Sequence, residues 1–321
     1  MIGHLALFLF SLLLIWGSSD LITRKITPLA RALGVKELTI TVLGVSVLSS
    51  LPELTVSTFA VARGSGDISI GNVIGSNFVT LTFVTAVCAL FRPIDIHREV
   101  RARESSWMIL SSSLVLILSM DGKLSRSDGF ILVATYMPYV VNVIRTAMEE
   151  RRPGKSRPER PRKGIPGLVG LAALGVLGVV AGARLALDSG TSLGEAVGIP
   201  TVALGVVLFA FGTSLPELAI SLSATFKHKS DVTIGEVYAS NIFTQLVVLG
   251  ICCLIAPMAV PHAMTAFAMP FLVLAAVVIQ LFVTSGHRLC RMEAVGLLIF
   301  YAVFAVSQFV ELPSIESMVG F

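Results

Sequence analysis

The chain has 321 residues, 55% of them hydrophobic and only 14% charged, with a formal net charge of +4. Soluble domains carry about 25% charged residues, so most of this chain does not face water and a soluble globular architecture is excluded. Its four cysteines, Cys88, Cys252, Cys253 and Cys290, lie in or beside apolar runs without metal-ligand spacing; they read as small buried hydrophobes.

A bilayer span needs roughly 20 apolar residues. Stretches of that kind cover 3–22, 38–62, 68–91, 106–120, 129–147, 165–187, 199–226, 232–258, 264–284 and 294–310, the fourth and tenth being short. They predict ten transmembrane helices. The first stretch has no Lys or Arg before it and ends in Ser18-Ser19-Asp20. A signal peptide has a basic start and a small-residue cleavage site, so this stretch is expected to stay as a span.

Charge orients the spans. With an external N-terminus, the cytoplasmic loops are expected at 23–37, 92–105, 148–164, 227–231 and 285–293. These loops and their flanks hold 20 of the 24 Lys and Arg residues, leaving only Arg63, Lys123, Arg126 and Arg184 on the other side. The positive-inside rule then puts both termini outside the cell. The most basic loop contains ERRPGKSRPERPRK (residues 150–163). Its charge and prolines favour an extended, solvated linker, so nucleic acid is not an expected partner.

The sequence repeats itself. At an offset of 164 residues, positions 49–80 match 213–244 at 14 of 32 places without a gap. Two apolar helices share Leu and Val by composition, but not Pro, Glu, Asp, Asn and Ser in one register. The chain therefore divides into a first repeat (1–147), the linker (148–164) and a second repeat (165–321). Five spans per repeat is an odd number, so the second repeat enters the membrane from the opposite side. The expected fold is an all-α polytopic membrane protein of ten transmembrane helices in two inverted five-helix repeats, an architecture of alternating-access transporters.

The strongest motif is SSLPELTVS (49–57), which returns as TSLPELAIS (213–221). Pro52 and Pro216 have no amide proton and clash with the carbonyl four residues earlier. Carbonyls around 46–49 and 210–213 are thus expected to be freed. Such groups survive in a bilayer only when buried in protein or lining a watery cavity. Glu53 and Glu217 add carboxylates, and Ser49, Ser50, Thr213 and Ser214 add hydroxyls. Roughly six to eight hard oxygens in a flexible cage suit Ca²⁺. No Lys or Arg lies inside a span near either motif to pair with the glutamates.

A second motif, IGNVIGSNFVT (70–80) and IGEVYASNIFT (234–244), sets Ser76 with Thr80, and Ser240 with Thr244, four residues apart on one helix face. Gly71, Gly75 and Gly235 permit close helix approach. Asp67 and Asp231 stand at span starts and are expected to act as N-caps. All five histidines fall at loops or span ends, so Ser50 and Ser214 have no base for hydrolysis. No GxxxxGK[ST] phosphate loop occurs, which speaks against an ATP-driven pump.

At these residues the sequence resembles the calcium/cation antiporter superfamily, specifically its sodium/calcium exchanger branch. GTSLPEL stands at 212–218 and GNVIGSN at 71–77, and the resemblance covers both five-helix halves. It implies a central diamond of cation sites in which Glu53 and Glu217 bind Ca²⁺ and share in Na⁺ sites. It further implies carbonyls of Ser49 and Thr213 for calcium, and Ser50, Ser214, Ser76 and Ser240 for sodium, with the first and sixth helices sliding past the rest. The sequence also departs from the pattern. Thr80 and Thr244 replace the usual Asn or Asp, which speaks against potassium co-transport; Glu236 replaces an Asn, and Leu48 a Gly.

The expectation is a secondary antiporter, not an enzyme, that exchanges Ca²⁺ for Na⁺ in the cell membrane without a cofactor. Ca²⁺/H⁺ exchange on the same scaffold, with protons returning on Glu53 and Glu217, is the alternative. A cation channel would have no need of inverted repeats with paired carboxylates.

Overall fold

The computed structural model describes residues 2–32, 44–95, 98–149, 165–286 and 288–308, nearly all of them helical. The start of the second predicted span, most of the linker and the end of the tenth span lie outside the described residues.

The first half of the chain begins with α1 (Ile2–Ala32), then a short α2 (Ser46–Ser49) and α3 (Leu51–Ala62). Next comes α4 (Gly66–Phe91), which is α-helical to Phe78 and widens to a π-helix over Val79–Val84. Helices α5 (Arg98–Leu118) and α6 (Arg126–Glu149) complete it. The second half runs α7 (Ile165–Val197), α8 (Thr201–Thr213), α9 (Leu215–Phe226), α10 (Val232–Ile255), α11 (Met264–Phe282) and α12 (Arg291–Ser307). In α10 a π-helix over Thr244–Val248 answers that of α4.

Among the described residues the predicted stretches are mostly helical, with 38–62 and 199–226 each falling on two helices. Among the described residues six helices are long and apolar enough to cross a bilayer, and seven if α8 and α9, bent by 42°, count as one span. Several ends differ from expectation. Helix α1 continues ten residues past the predicted end at 22, α7 runs on from 187 to Val197, and α5 begins at Arg98 inside a predicted loop. Apolar length reports the lipid-facing part of a helix, whereas the hydrogen-bond ladder continues into charged residues beyond it.

Two breaks mark the motifs. Pro52 and Pro216 sit in the first turn of α3 and α9, where a missing N–H costs nothing. The N-cap residues two positions before them match closely, Ser50 at φ −83°, ψ 10° and Ser214 at φ −81°, ψ 3°. The freed oxygens are fewer than expected. The Ser50 N–H donates to the Ser46 carbonyl at 3.2 Å and the Ser214 N–H to that of Ala210 at 3.1 Å. The ring itself removes a donor from the carbonyls four residues before each proline, those of Leu48 and Gly212, and the Leu48 carbonyl accepts another backbone N–H at the break instead.

Polar side chains are buried within a largely apolar core, and large apolar side chains face outward. Glu53, Glu217, Glu236, Asn72, Asn77, Asn241 and Gln245 are buried, whereas Leu13, Phe130, Leu177 and Ile299 are exposed. Helices α4 and α8 meet backbone to backbone: a Cβ on Gly75 would lie 2.3 Å from the Val206 carbonyl, and one on Gly205 would lie 2.8 Å from that of Ile68. Helices α1 and α7 pack on each other and join the rest through a separate apolar cluster, including Phe8, Ile15, Ala183, Leu187, Val56 and Phe209.

Among the described residues, strands occur in two two-residue ladders. β1 (Ile94–Asp95) pairs antiparallel with β4 (Arg288–Leu289), and β2 (Lys123–Leu124) with β3 (Met258–Ala259).

Candidate functional site

The two breaks and the π-helical stretches of α4 and α10 converge on one small cavity. Ser50, Glu53, Ser76, Asn77, Thr80, Glu217, Ser240, Asn241 and Thr244 line it, and its volume is about 10 Å³. That is room for about one water-sized sphere. Both glutamates are 1% exposed, and neither makes an ion pair among the described residues.

The wall is built twice over. Asn77 Nδ2 donates to Thr244 Oγ1 at 2.9 Å, and Asn241 Nδ2 to Thr80 Oγ1 at 2.6 Å. Each asparagine also donates to its own helix at 2.6 Å, to the carbonyl of Val73 or Val237. Thr80 and Thr244 donate in turn to the carbonyls of Ser76 and Ser240, both at 2.9 Å. The repeats are thus stapled across the cavity by two equivalent crossed pairs. Ser76 and Ser240 donate back to Val73 and Val237 at 3.1 and 3.2 Å, which leaves their oxygen lone pairs able to accept a cation.

The carboxylates are the least satisfied groups. Ser50 Oγ donates to Glu217 Oε1 at 3.2 Å. Glu53 Oε2, Glu217 Oε2, Ser214 Oγ and Asn241 Oδ1 are buried without a hydrogen-bond partner. A buried oxygen without a donor costs about 1–3 kcal/mol, and several around one cavity form a ready cage of hard ligands. The dissimilar residue behind Asn241 accounts for one of them: Gln245 Nε2 donates to Asn77 Oδ1 at 2.8 Å, but the matching position 81 is a leucine.

Of the ten site residues expected from the sequence, Ser50, Glu53, Ser76, Thr80, Glu217, Ser240 and Thr244 line the cavity. Ser49, Thr213 and Ser214 do not. Ser49 Oγ donates to Glu236 Oε1 at 2.7 Å and Thr213 Oγ1 to Asn72 Oδ1 at 3.3 Å. Asn77 and Asn241 join the lining without being among the expected residues, although their identity across the repeat is a signal of the same kind as that of the glutamates. The capping role expected for Asp67 is corrected: it lies in the first turn of α4, past the N-cap Ser65, and accepts a hydrogen bond from Thr201 Oγ1. The side chain of Asp231 lies outside the described residues.

The model of the family described as sodium/calcium exchanger protein matches residues 3–145 and 167–310. The inner membrane protein YrbG of Escherichia coli is 30% identical over 259 residues, covering 78% of this chain and 80% of that one. The sodium/calcium exchanger MaX1 of Methanosarcina acetivorans is 26% identical over 341 aligned positions, covering 94% and 97%. A solved structure of the sodium-calcium exchanger NCX_Mj soaked with Na⁺ and Sr²⁺ superposes with a TM-score of 0.73 at 25% identity, covering 98% of this chain and 99% of that one.

Proposed function

The chain belongs to the sodium/calcium exchanger family, and from that premise we propose that it exports Ca²⁺ in exchange for Na⁺, with Glu53 and Glu217 holding the ions at the central cavity. The observation that carries this reading is the pair of unpartnered carboxylate oxygens on Glu53 and Glu217 at one buried cavity. An isolated carboxylate in low dielectric is expensive. Two of them are neutralised by one Ca²⁺ or by sodium ions, but not by both sets at once in so small a volume. The empty charged site is too costly to carry across the bilayer. Exclusive occupancy of this kind couples the two ion flows. Ser50, Ser76, Ser240, Thr80, Thr244, Asn77 and Asn241 supply neutral oxygens, and the carbonyls beside Ser49, Thr213 and Ser214 are candidates at the breaks.

The ten helices form two inverted repeats when α2 with α3, and α8 with α9, count as single broken spans. Contacts between loops support that topology. Arg63 bonds Asp188, and β2 pairs with β3, joining loops assigned to the outside. Arg92 bonds His228 at 3.0 Å, and β1 pairs with β4, joining loops assigned to the cytoplasm. The polar links named here join loops of one assigned side. Both termini then face outward from the cell membrane. The separate seating of α1 and α7 on their own apolar cluster suits them to slide as a unit and open the cavity to each side in turn.

Glu53→Gln and Glu217→Gln test the site. Each keeps the volume and removes the charge, so calcium uptake into proteoliposomes should fall to the level of protein-free vesicles while the purified variants elute as the unmutated protein does. Normal uptake by both variants would remove the two glutamates from the site.

A further inference from the structure

A third carboxylate lies beside the cavity, and the two repeats treat its position differently. Glu236 is fully buried on α10 and corresponds, at the offset of 164, to Asn72 on α4. In the first repeat's helix, Asn72 Oδ1 accepts from Thr213 Oγ1 at 3.3 Å, and Asn72 Nδ2 donates to Ser57 Oγ at 3.0 Å. In the equivalent place Glu236 Oε1 accepts from Ser49 Oγ at 2.7 Å, and its Oε2 accepts from Ser46 Oγ at 2.8 Å. A carboxylate has no N–H to give. Ser221, the counterpart of Ser57, is accordingly a fully buried hydroxyl with no hydrogen-bond partner.

These oxygens are connected to the central site. Ser49 and Ser50 are consecutive at the α2 break, one donating to Glu236 and the other to Glu217. Ser221 is four residues after Glu217 on α9, hence on the same helix face, and Glu217 Oε2 is itself without a partner. No Lys or Arg forms an ion pair with Glu236 among the described residues. The exchange of Asn for Glu therefore brings an anionic group and a free hydroxyl oxygen to one flank of the cavity.

We propose that Glu236 is a third anionic residue of the exchange cycle, holding a sodium ion beside Glu217 on the flank formed by α2, α9 and α10. The proposal rests on the antiport reading above. Sodium ions that neutralise Glu53 and Glu217 leave the third carboxylate uncompensated, and a further sodium ion, a monovalent cation suited to small hard-oxygen ligands, offsets it in the sodium-loaded state. Glu236 thereby sets how many sodium ions the site takes up, whereas Asn72 leaves the opposite flank neutral.

The test is the sodium dependence of calcium uptake by sodium-loaded proteoliposomes, for the unmutated protein, Glu236→Gln and Glu236→Asn. The asparagine variant installs the residue of the opposite flank. The expected result is a Hill coefficient for sodium lower by about one in both variants, with half-saturation for calcium close to that of the unmutated protein. A purely structural role would lower the rate without changing the steepness. Unchanged steepness in both variants, alone or with an altered response to a proton gradient, would overturn the proposal. The sodium-dependent thermal stabilisation of the unmutated protein gives a reading that needs no variant: a steepness of two ions or fewer would also overturn it. Failure of the unmutated protein to exchange sodium for calcium would instead remove the antiport reading.

Discussion

Thr80 and Thr244 each perform two tasks: the hydroxyl donates to the carbonyl four residues earlier and accepts the amide of the opposite repeat's asparagine. Thr80→Ala strands one N–H of Asn241, and Thr244→Ala one of Asn77. Each loss should cost about 1–3 kcal/mol of stability, read as a lower midpoint of thermal aggregation in detergent. Calcium uptake should persist with a changed apparent affinity, because both carboxylates remain. Abolished uptake at unchanged stability would make the threonines ligands first and staples second. At this scale the sequence is legible where chemistry repeats. Glu53 and Glu217 stand out because a charge behind a proline in an apolar run is costly unless a cation or a proton neutralises it. Asn77 and Asn241 carry an equal signal that is harder to read, since an amide in a helix gives no sign of whether it faces its own backbone or another helix. The depth of Glu236 is not readable at all: it follows from which face of α10 meets α2, and periodicity is silent on a helix buried nearly all round.

Between elements, the tightest constraint is the contact of α4 with α8, which is π-helical over Leu204–Phe209. Gly75→Ala would set a methyl 2.3 Å from the Val206 carbonyl and 2.7 Å from the Ala210 Cβ, so the two helices must separate. A marked loss of thermal stability and of uptake is expected. Gly296→Ala on α12, where nothing lies within 4 Å, should be neutral in the same assays. Equal effects of the two substitutions would show that the α4–α8 contact is not required. The small residues of this contact are visible in the sequence, but their partner is not, because Gly75 approaches the backbone of α8 rather than a complementary side chain. The π-helices over Val79–Val84 and Thr244–Val248 leave no mark in composition either. They adjoin the threonine staples, where one extra residue per turn re-aims the wall of the cavity.

For the molecule as a whole, sidedness is the property that the inverted repeat stands on. Lys123→Cys and Lys227→Cys occupy exposed positions assigned to opposite sides. The native Cys88, Cys252 and Cys253 are buried, and the half-buried Cys290 is replaced by Ser in both variants to keep background labelling low. A membrane-impermeant maleimide applied to intact cells should modify Cys at 123 and spare Cys at 227 until the membrane is opened. Modification of both from outside would contradict the topology. The membrane-spanning, mostly helical character is legible because lipid demands long apolar helices. What stays hidden, the extension of α1 and α7 and the two short ladders, depends on loops and helix ends, where water satisfies the backbone and the sequence is less constrained.

The most direct measurement is radiolabelled Ca²⁺ uptake into proteoliposomes loaded with Na⁺, beside vesicles that carry only a proton gradient. Sodium-driven exchange predicts uptake that requires internal Na⁺ and survives a protonophore. Uptake that follows the proton gradient and ignores Na⁺ would contradict it, handing the coupling at Glu53 and Glu217 to protons.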